Sequence, residues 1–208
     1  MIRRVFAALR RRSRQQRYRH VRDVIRVESQ AGPILDLGGG PASFFAGMFP
    51  RPEQVFLVDI SPTEAQRAKQ RKPALRVIVA DGERMPFADV SFSATVCNSV
   101  IEHVSDPRSL SAEIRRVSRA YFVQTPNGKF PLETHSYIAI PLYNYIPWRW
   151  MRRWICRLFG ANYVYVSTVR YLSEARLKEL FPHAVLTYEK VLGLKKSFYI
   201  YRKASARN

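Results

Sequence analysis

The sequence predicts an α/β domain built on a doubly wound, parallel sheet. Three observations carry that prediction. Strand-like apolar runs alternate with helical patterns from Pro33 to Thr125, the signature of βαβ units. The run Ile34-Leu35-Asp36-Leu37-Gly38-Gly39-Gly40-Pro41 is an apolar strand closed by an acid and a glycine turn. Acidic residues end the next two strands, Asp59 at 21 positions past Gly38 and Asp81 beyond it.

Each element has a local reason. Residues 1–29 lack Pro and Gly and read as a basic amphipathic helix. At 3.6-residue spacing Ile2, Val5, Phe6 and Leu9 share one face, while Arg3, Arg10, Arg14 and Arg17 point elsewhere. Residues 30–208 read as one domain. Pro33 to Leu37 is apolar enough for a strand covered on both faces. Ala42 to Met48 reads as a short helix, Gln54 to Asp59 as the second strand, and Pro62 to Arg71 as a helix with Pro at its first turn. Leu75 to Ala80 and Ser93 to Asn98 are the third and fourth strands. Asp106-Pro107 starts a helix whose Leu110, Ile114 and Val117 fall on one face, and Tyr121 to Thr125 is the fifth strand. Ser173 caps a helix from Glu174 to Phe181, followed by paired strands Ala184 to Leu192 and Ser197 to Arg202, joined at Gly193. Residues 128–169, rich in aromatics and Pro, break the rhythm and read as an insertion over the sheet's carboxyl edge.

Composition narrows the class. A chain of 208 residues with 47% hydrophobic content can bury a full core. The net charge of +19 suits phosphates, of nucleic acid or of an anionic membrane, unless it reflects a generally arginine-rich proteome. Cys97 and Cys156 form no CxxC pair, so neither a zinc site nor a disulfide framework is implied, and a reducing cytoplasm fits. The apolar run from Val5 to Leu9 is too short for a signal peptide, and no apolar run is long enough to cross a bilayer.

The strand-end residues point to a nucleoside cofactor. Gly38 and Gly40 let the backbone approach a ligand closely. Asp59 is placed to accept both ribose hydroxyls, and Asp81 to accept an adenine amine. A dinucleotide would want a third glycine where Ser43 stands, and Asp36 would repel a pyrophosphate. The same carboxylate favours the ammonium of a methionine moiety, so the charges select a sulfonium cofactor.

In these motifs the chain resembles the class I S-adenosylmethionine-dependent methyltransferases, in their small-molecule "type 11" branch. The resemblance covers about residues 31–202. Asp36 to Gly40 fits the DxGxG signature, with Ala42 where many members have Gly. Leu57-Val58-Asp59-Ile60-Ser61 fits the ribose-binding segment. Asp81-Gly82-Glu83-Arg84-Met85-Pro86-Phe87, with Asp89, Ser91 and Phe92, is similar to the branch's DxExLPFxDxSFD run. Cys97 to Val104 resembles the motif beside the cofactor's methionine part, with Asn98 at the strand end. The resemblance implies a Rossmann-like, seven-stranded sheet of order 3-2-1-4-5-7-6 with strand seven antiparallel and helices on both faces. It also implies S-adenosyl-L-methionine held around Asp36, Gly38, Gly39, Gly40, Asp59, Ile60, Asp81, Gly82 and Asn98, with no metal.

The segment Thr125-Pro126-Asn127 to Glu133-Thr134-His135 resembles a "PN…FPxExH" run of some bacterial members, often those acting on glycan or lipid-linked substrates. Either Glu133 or His135 is placed to accept a hydroxyl proton, or the two brace a lid. No NPPY motif ends strand four, and Cys97 lacks a preceding Pro, which disfavours adenine-amino and pyrimidine-carbon methylation. An oxygen of a small-molecule, lipid-linked or glycan-linked acceptor is left by elimination. In residues 147–158 Trp150, Met151, Trp154, Ile155 and Leu158 take one side of a helix, and Arg149, Arg152, Arg153 and Arg157 the other. With residues 1–20, this segment suits an anionic membrane surface. Packing within the protein or on a second subunit, and nucleic-acid contact, are the competing readings. The hypotheses are therefore a cytoplasmic enzyme working on the inner face of the membrane, an RNA methyltransferase, or a catalytically silent cofactor-binding scaffold.

Overall fold

The computed structural model describes residues 2–25, 32–41, 43, 49, 51–133, 140–160 and 163–203. Its main sheet contains β1 (Ile34–Leu37), β2 (Val55–Asp59), β3 (Arg76–Val79), β4 (Phe92–Asn98), β5 (Ser118–Pro126), β8 (Val185–Val191) and β9 (Leu194–Arg202). The strand order is β3-β2-β1-β4-β5-β9-β8. The first five strands are mutually parallel, and β9 runs antiparallel to β5. The short β6 (Leu132–Glu133) and β7 (Ile140–Pro141) form a separate two-stranded sheet among the described residues, so β8 and β9 are strands six and seven of the main sheet. The expected order 3-2-1-4-5-7-6 with an antiparallel seventh strand is observed.

Period-two alternation sends side chains to two layers. Ile34, Val55, Leu57, Val96, Ala120 and Phe122 join one buried cluster; Leu35, Val58, Cys97, Tyr121 and Val123 join the other. The first layer is closed by α1 (Ile2–Ile25) and α2 (Pro62–Arg71), through Val21, Val24, Ile25 and Ala68. The second is closed by α3 (Pro107–Val117) and α6 (Glu174–Leu180), through Leu110, Ile114, Val117, Leu177 and Leu180. Capping follows the sequence: Ser61 accepts from Glu64 N, Asp106 from Arg108 N and Ser109 N, and Ser173 from Arg176 N. Residues 42 and 44–48, expected to be helical, lie outside the described residues, as do residues 26–30 beyond α1.

One expectation is overturned inside α1. Arg17 does not point away from the protein. Its guanidinium reaches Glu189 Oε2 at 2.7 Å, Asn98 Oδ1 at 2.8 Å and Gln124 Oε1 at 3.0 Å. Lys196 and the Ser13 and Tyr199 hydroxyls complete the cage around Glu189, whose side chain is 2% exposed. Arginine lies on the inward stripe because these acceptors satisfy it there, and its removal would strand a buried carboxylate. His20, one turn on, packs its ring against Phe122, Tyr199 and Tyr201. Burial raises the Glu189 pKa, but Arg17, Lys196 and the donated hydrogen bonds outweigh it and bring it from 4.5 down to about 2.

A folded-state pKa below the unfolded one means that the ionised Glu189 stabilises the protein above pH 4.5 and loses that effect as pH falls towards 2. Replacing Glu189→Gln should cost about 3 kcal/mol at pH 7. The deficit should shrink through that window and vanish near pH 2, read from urea unfolding at a series of pH values. A deficit independent of pH would show that the carboxylate is not the stabilising group.

Candidate functional site

The parallel register brings the expected residues to one level. Leu37 pairs with Val58 on one side and with Cys97 on the other. The next residues, Gly38, Asp59 and Asn98, therefore sit side by side at the carboxyl edge. Asp59 pairs with Val79, which places Asp81 just past the end of β3. Open α/β sheets bind ligands at this edge.

The glycine turn has steric reasons at each position that matters. Gly38 has φ +67°, and a Cβ there would lie 2.4 Å from Val100 Cγ2. Its N–H donates to Val58 O at 2.7 Å, tying the turn to β2. A Cβ on Gly39 would lie 2.6 Å from Asp36 Oδ2, so the buried Asp36 carboxylate folds back under the turn and accepts the Ser43 hydroxyl. Gly40 has φ +53°, and its missing Cβ would face Asp59 Oδ2 at 3.7 Å. Asp59 Oδ1 accepts from Ser61 N at 2.9 Å, and Asp81 Oδ1 from Glu83 N at 2.9 Å. Ile60 presents its side chain outward, 67% exposed, immediately after Asp59. Gly82 has a packing reason of its own: a Cβ would meet Leu110 Cδ1 at 2.9 Å and Leu37 Cδ1 at 3.2 Å.

The loop that carries Asp81 is stapled to α3. Glu113 accepts from Met85 N at 2.7 Å, and Arg116 donates to Phe87 O at 2.7 Å and Asp89 Oδ1 at 2.8 Å. Glu83 accepts from Ser105 N and Asp106 N. These contacts hold the loop without using the outer oxygen of Asp81.

The other half of the edge contains groups that sequence reasoning left unassigned. Ser99 follows Asn98 with φ +56°, a left-handed conformation uncommon outside glycine. It is held by Ser99 N to Gln124 O at 3.0 Å and Ser99 Oγ to Gln124 Oε1 at 2.8 Å. Glu102 is fully buried and accepts from Thr125 Oγ1 at 3.0 Å. Burial pushes the Cys97 thiol pKa up, and the charges of Glu102 and Asp36 push it further. Both carboxylates thus bear on the same strand end. A polar Gln inside the apolar run of β5 was the one sequence signal for this cluster.

These groups fit a cationic nucleoside cofactor. Asp59 offers a carboxylate across the Gly40 gap, Ile60 an exposed apolar side chain next in sequence, and Asp81 a second acceptor. Asp36 and Glu102 bring two carboxyl groups to the adjoining end, which suit a sulfonium and an ammonium better than a pyrophosphate.

Beyond β5 lies a cavity of about 850 Å³, lined by residues of the insertion and the 169–174 loop, including Asn127, Lys129, Tyr143, Arg149, Arg152 and Tyr171. Asn127 is three residues past Gln124, about 10 Å along the strand direction. A Cβ on Gly128 would lie 2.6 Å from Tyr171 Cγ, so this glycine lets the ring lie against the backbone. Asn144 Nδ2 donates to Gly128 O and Tyr145 Oη to Lys129 O, folding the insertion back on the end of β5. Glu133 ends β6, paired with Ile140. His135 lies outside the described residues.

α4 (Arg149–Leu158) departs from its expected wheel. Arg152 turns inward, donating to Ile146 O and Asn144 O, with its guanidinium 5.7 Å from the Tyr143 ring centroid. Cys156 is buried against Tyr143. Trp150, Trp154 and Leu158 face outward at 60–67% exposure, with Trp148 at 56%.

Residues 35–121 match the model of the methyltransferase domain family. An uncharacterized methyltransferase of Mycobacterium sp. (strain KMS) is 38% identical over 87 residues, which are 41% of this chain and 34% of that protein. The demethylmenaquinone methyltransferase of Paenarthrobacter aurescens is 27% identical over 110 residues, 53% of this chain and 41% of that one. The matches thus span between a third and a half of these relatives' length. Among solved structures, an S-adenosylmethionine-dependent methyltransferase from Mesorhizobium loti superposes with a TM-score of 0.57 at 13% identity, over 85% of this chain and 94% of that one. One from Thermotoga maritima gives 0.54 at 15% identity, over 91% and 96%. At these identities the structural likeness shows the fold.

Asp59→Ala should lower affinity for S-adenosylmethionine about 10- to 100-fold, the worth of hydrogen bonds to a charged acceptor. Titration calorimetry reads this directly. Unchanged affinity would remove Asp59 from the site.

Proposed function

We propose that this chain, whose residues 35–121 carry the methyltransferase domain on a class I methyltransferase sheet, is an S-adenosylmethionine-dependent methyltransferase that O-methylates a small-molecule or lipid- or glycan-linked acceptor at a membrane surface. The observation that carries the reading is the juxtaposition at the carboxyl edge. The register brings the strand-end acids and the glycine turn together there, and the insertion lines a cavity beyond β5. The cofactor supplies an activated methyl group on a sulfonium. The chain's part is to orient and to exclude water. Asp59, Asp81 and the Gly38–Gly40 turn hold the nucleoside end. Asp36 and Glu102 bring carboxylates to the methionine end, where Asn98 offers an amide held by Arg17. The cavity holds the acceptor, so that its nucleophile meets the methyl group in line.

Glu133 and His135 are our candidates for accepting the acceptor's hydroxyl proton. Their support is position in the chain, five and seven residues after Gly128 at the cavity wall. Membrane contact is supported by the outward stripe of Trp150, Trp154 and Leu158 on α4, flanked by the exposed Arg149, Arg153 and Arg157. No helix among the described residues is long and apolar enough to cross a membrane.

Radiolabelled methyl transfer from S-adenosylmethionine into lipid and small-molecule fractions tests the activity. Glu133→Gln and His135→Ala should lower kcat by about 10²–10⁴ for whichever residue is the base, with cofactor affinity intact. Full activity in both variants would reject the assignment. Cosedimentation with anionic vesicles should weaken about fivefold for each of Arg153→Gln and Arg157→Gln at low salt. It should weaken further for the Trp150→Ala/Trp154→Ala variant, with little binding to neutral vesicles. Steeply salt-dependent binding to RNA without vesicle binding would favour an RNA methyltransferase instead.

A further inference from the structure

The cavity beyond β5 carries more positive charge than a neutral acceptor would need. Four cations line it, against one carboxylate, Glu174. That carboxylate is already engaged by Lys178 at 3.0 Å, and the cavity's Lys195 lies 3.7 Å from it. Arg152 gives its hydrogen bonds to the main-chain carbonyls of Ile146 and Asn144, which position the guanidinium without neutralising it. Lys129 and Arg149 have no carboxylate partner among the described residues. Like charges gathered on a concave wall repel one another, and the concavity focuses their field on whatever enters. Such an arrangement is stabilised by an anion. Guanidinium groups match the geometry of phosphate oxygens in particular. At about 850 Å³ the cavity is far larger than an inorganic anion and lies within the range of sites for whole small molecules.

We infer that this cavity binds the phosphate or diphosphate group of the acceptor, with Lys129, Arg149 and Arg152 as its ligands. Naming the ligand an acceptor rests on the methyltransferase reading; the anion site itself does not. Arg152, buttressed from behind by two carbonyls, is the pre-set donor, and Lys129 and Arg149 close on the anion from the exposed side. Tyr171, seated against Gly128, sets the cavity's inner wall.

The test titrates the full chain with sodium pyrophosphate at constant ionic strength, and separately with S-adenosylmethionine. The wild type should bind pyrophosphate saturably, and Lys129→Gln/Arg149→Gln should raise Kd at least tenfold. Arg67→Gln/Arg71→Gln on α2 removes the same charge far from the cavity and should change Kd less than twofold. Gly128→Ala, which forces Tyr171 to move, should weaken pyrophosphate binding while the outer charges stay in place. Cofactor affinity should be unchanged in all three variants. Absence of saturable binding by the wild type, or an equal loss in the α2 control, would overturn the anion site. Pyrophosphate binding without cofactor binding would instead reject the methyltransferase reading and leave the anion site standing. Vesicles containing phosphatidic acid then assign the source. A loss in the cavity variant well beyond the α2 control marks a lipid phosphate headgroup. Equal losses, with pyrophosphate binding still lost in the cavity variant, mark a water-soluble phosphate compound.

Discussion

The parallel register of β1 with β2 and β4 is the constraint on which the rest depends. Pairing Leu37 with Val58 and Cys97 puts Gly38, Asp59 and Asn98 on one line. A shift by one residue would move every side chain of a strand to the opposite face. Leu35 and Val58 would then face α1, and the strand-end acids would no longer converge. The same pairing needs helices on both sides, because a parallel sheet cannot leave a face in water. Site geometry and core packing are therefore decided together.

α1 shows how a charged helix can belong to such a core. Its last turns pack as apolar side chains, and Arg17 then meets the polar ends of β4, β5 and β8. The buried pair with Glu189 is retained where a hydrophobic contact would also have served for stability. What the arginine adds is a link: the same guanidinium holds the side chains of Asn98 and Gln124, next to the strained Ser99. The seating of the helix and the shape of the carboxyl ends of β4 and β5 are thus one arrangement.

The insertion divides its side chains by a different rule. α4 turns Arg152 and Cys156 inward onto Tyr143 and leaves its tryptophans outward. An interior that prefers an arginine to a tryptophan is unusual for a water-facing helix. The arginines of this segment divide accordingly, with Arg152 turned into the cavity and Arg153 and Arg157 turned outward.

Sequence alone was enough for the strands of the parallel sheet and the starts of its helices, because each follows from local chemistry. Continuous apolar runs make strands covered on both faces, Asp106 and Ser173 start helices, and the glycines at 38 and 40 take positive φ in the turn that follows β1. The resemblance of four ordered motifs supplied the strand order and the antiparallel seventh strand. Tertiary structure alone decided the rest. The inward turn of Arg17 and of Arg152 depends on acceptors distant in sequence, from Asn98 to Glu189 for the first and on bent main chain for the second. Helical periodicity ranks faces by hydropathy, and so it sends arginine to water. A buried acceptor cluster reverses that choice, and only the folded chain assembles one. Glu102 and Gln124 were hidden for the same reason: a polar residue in a strand or loop becomes part of a site only through the neighbours that folding brings to it.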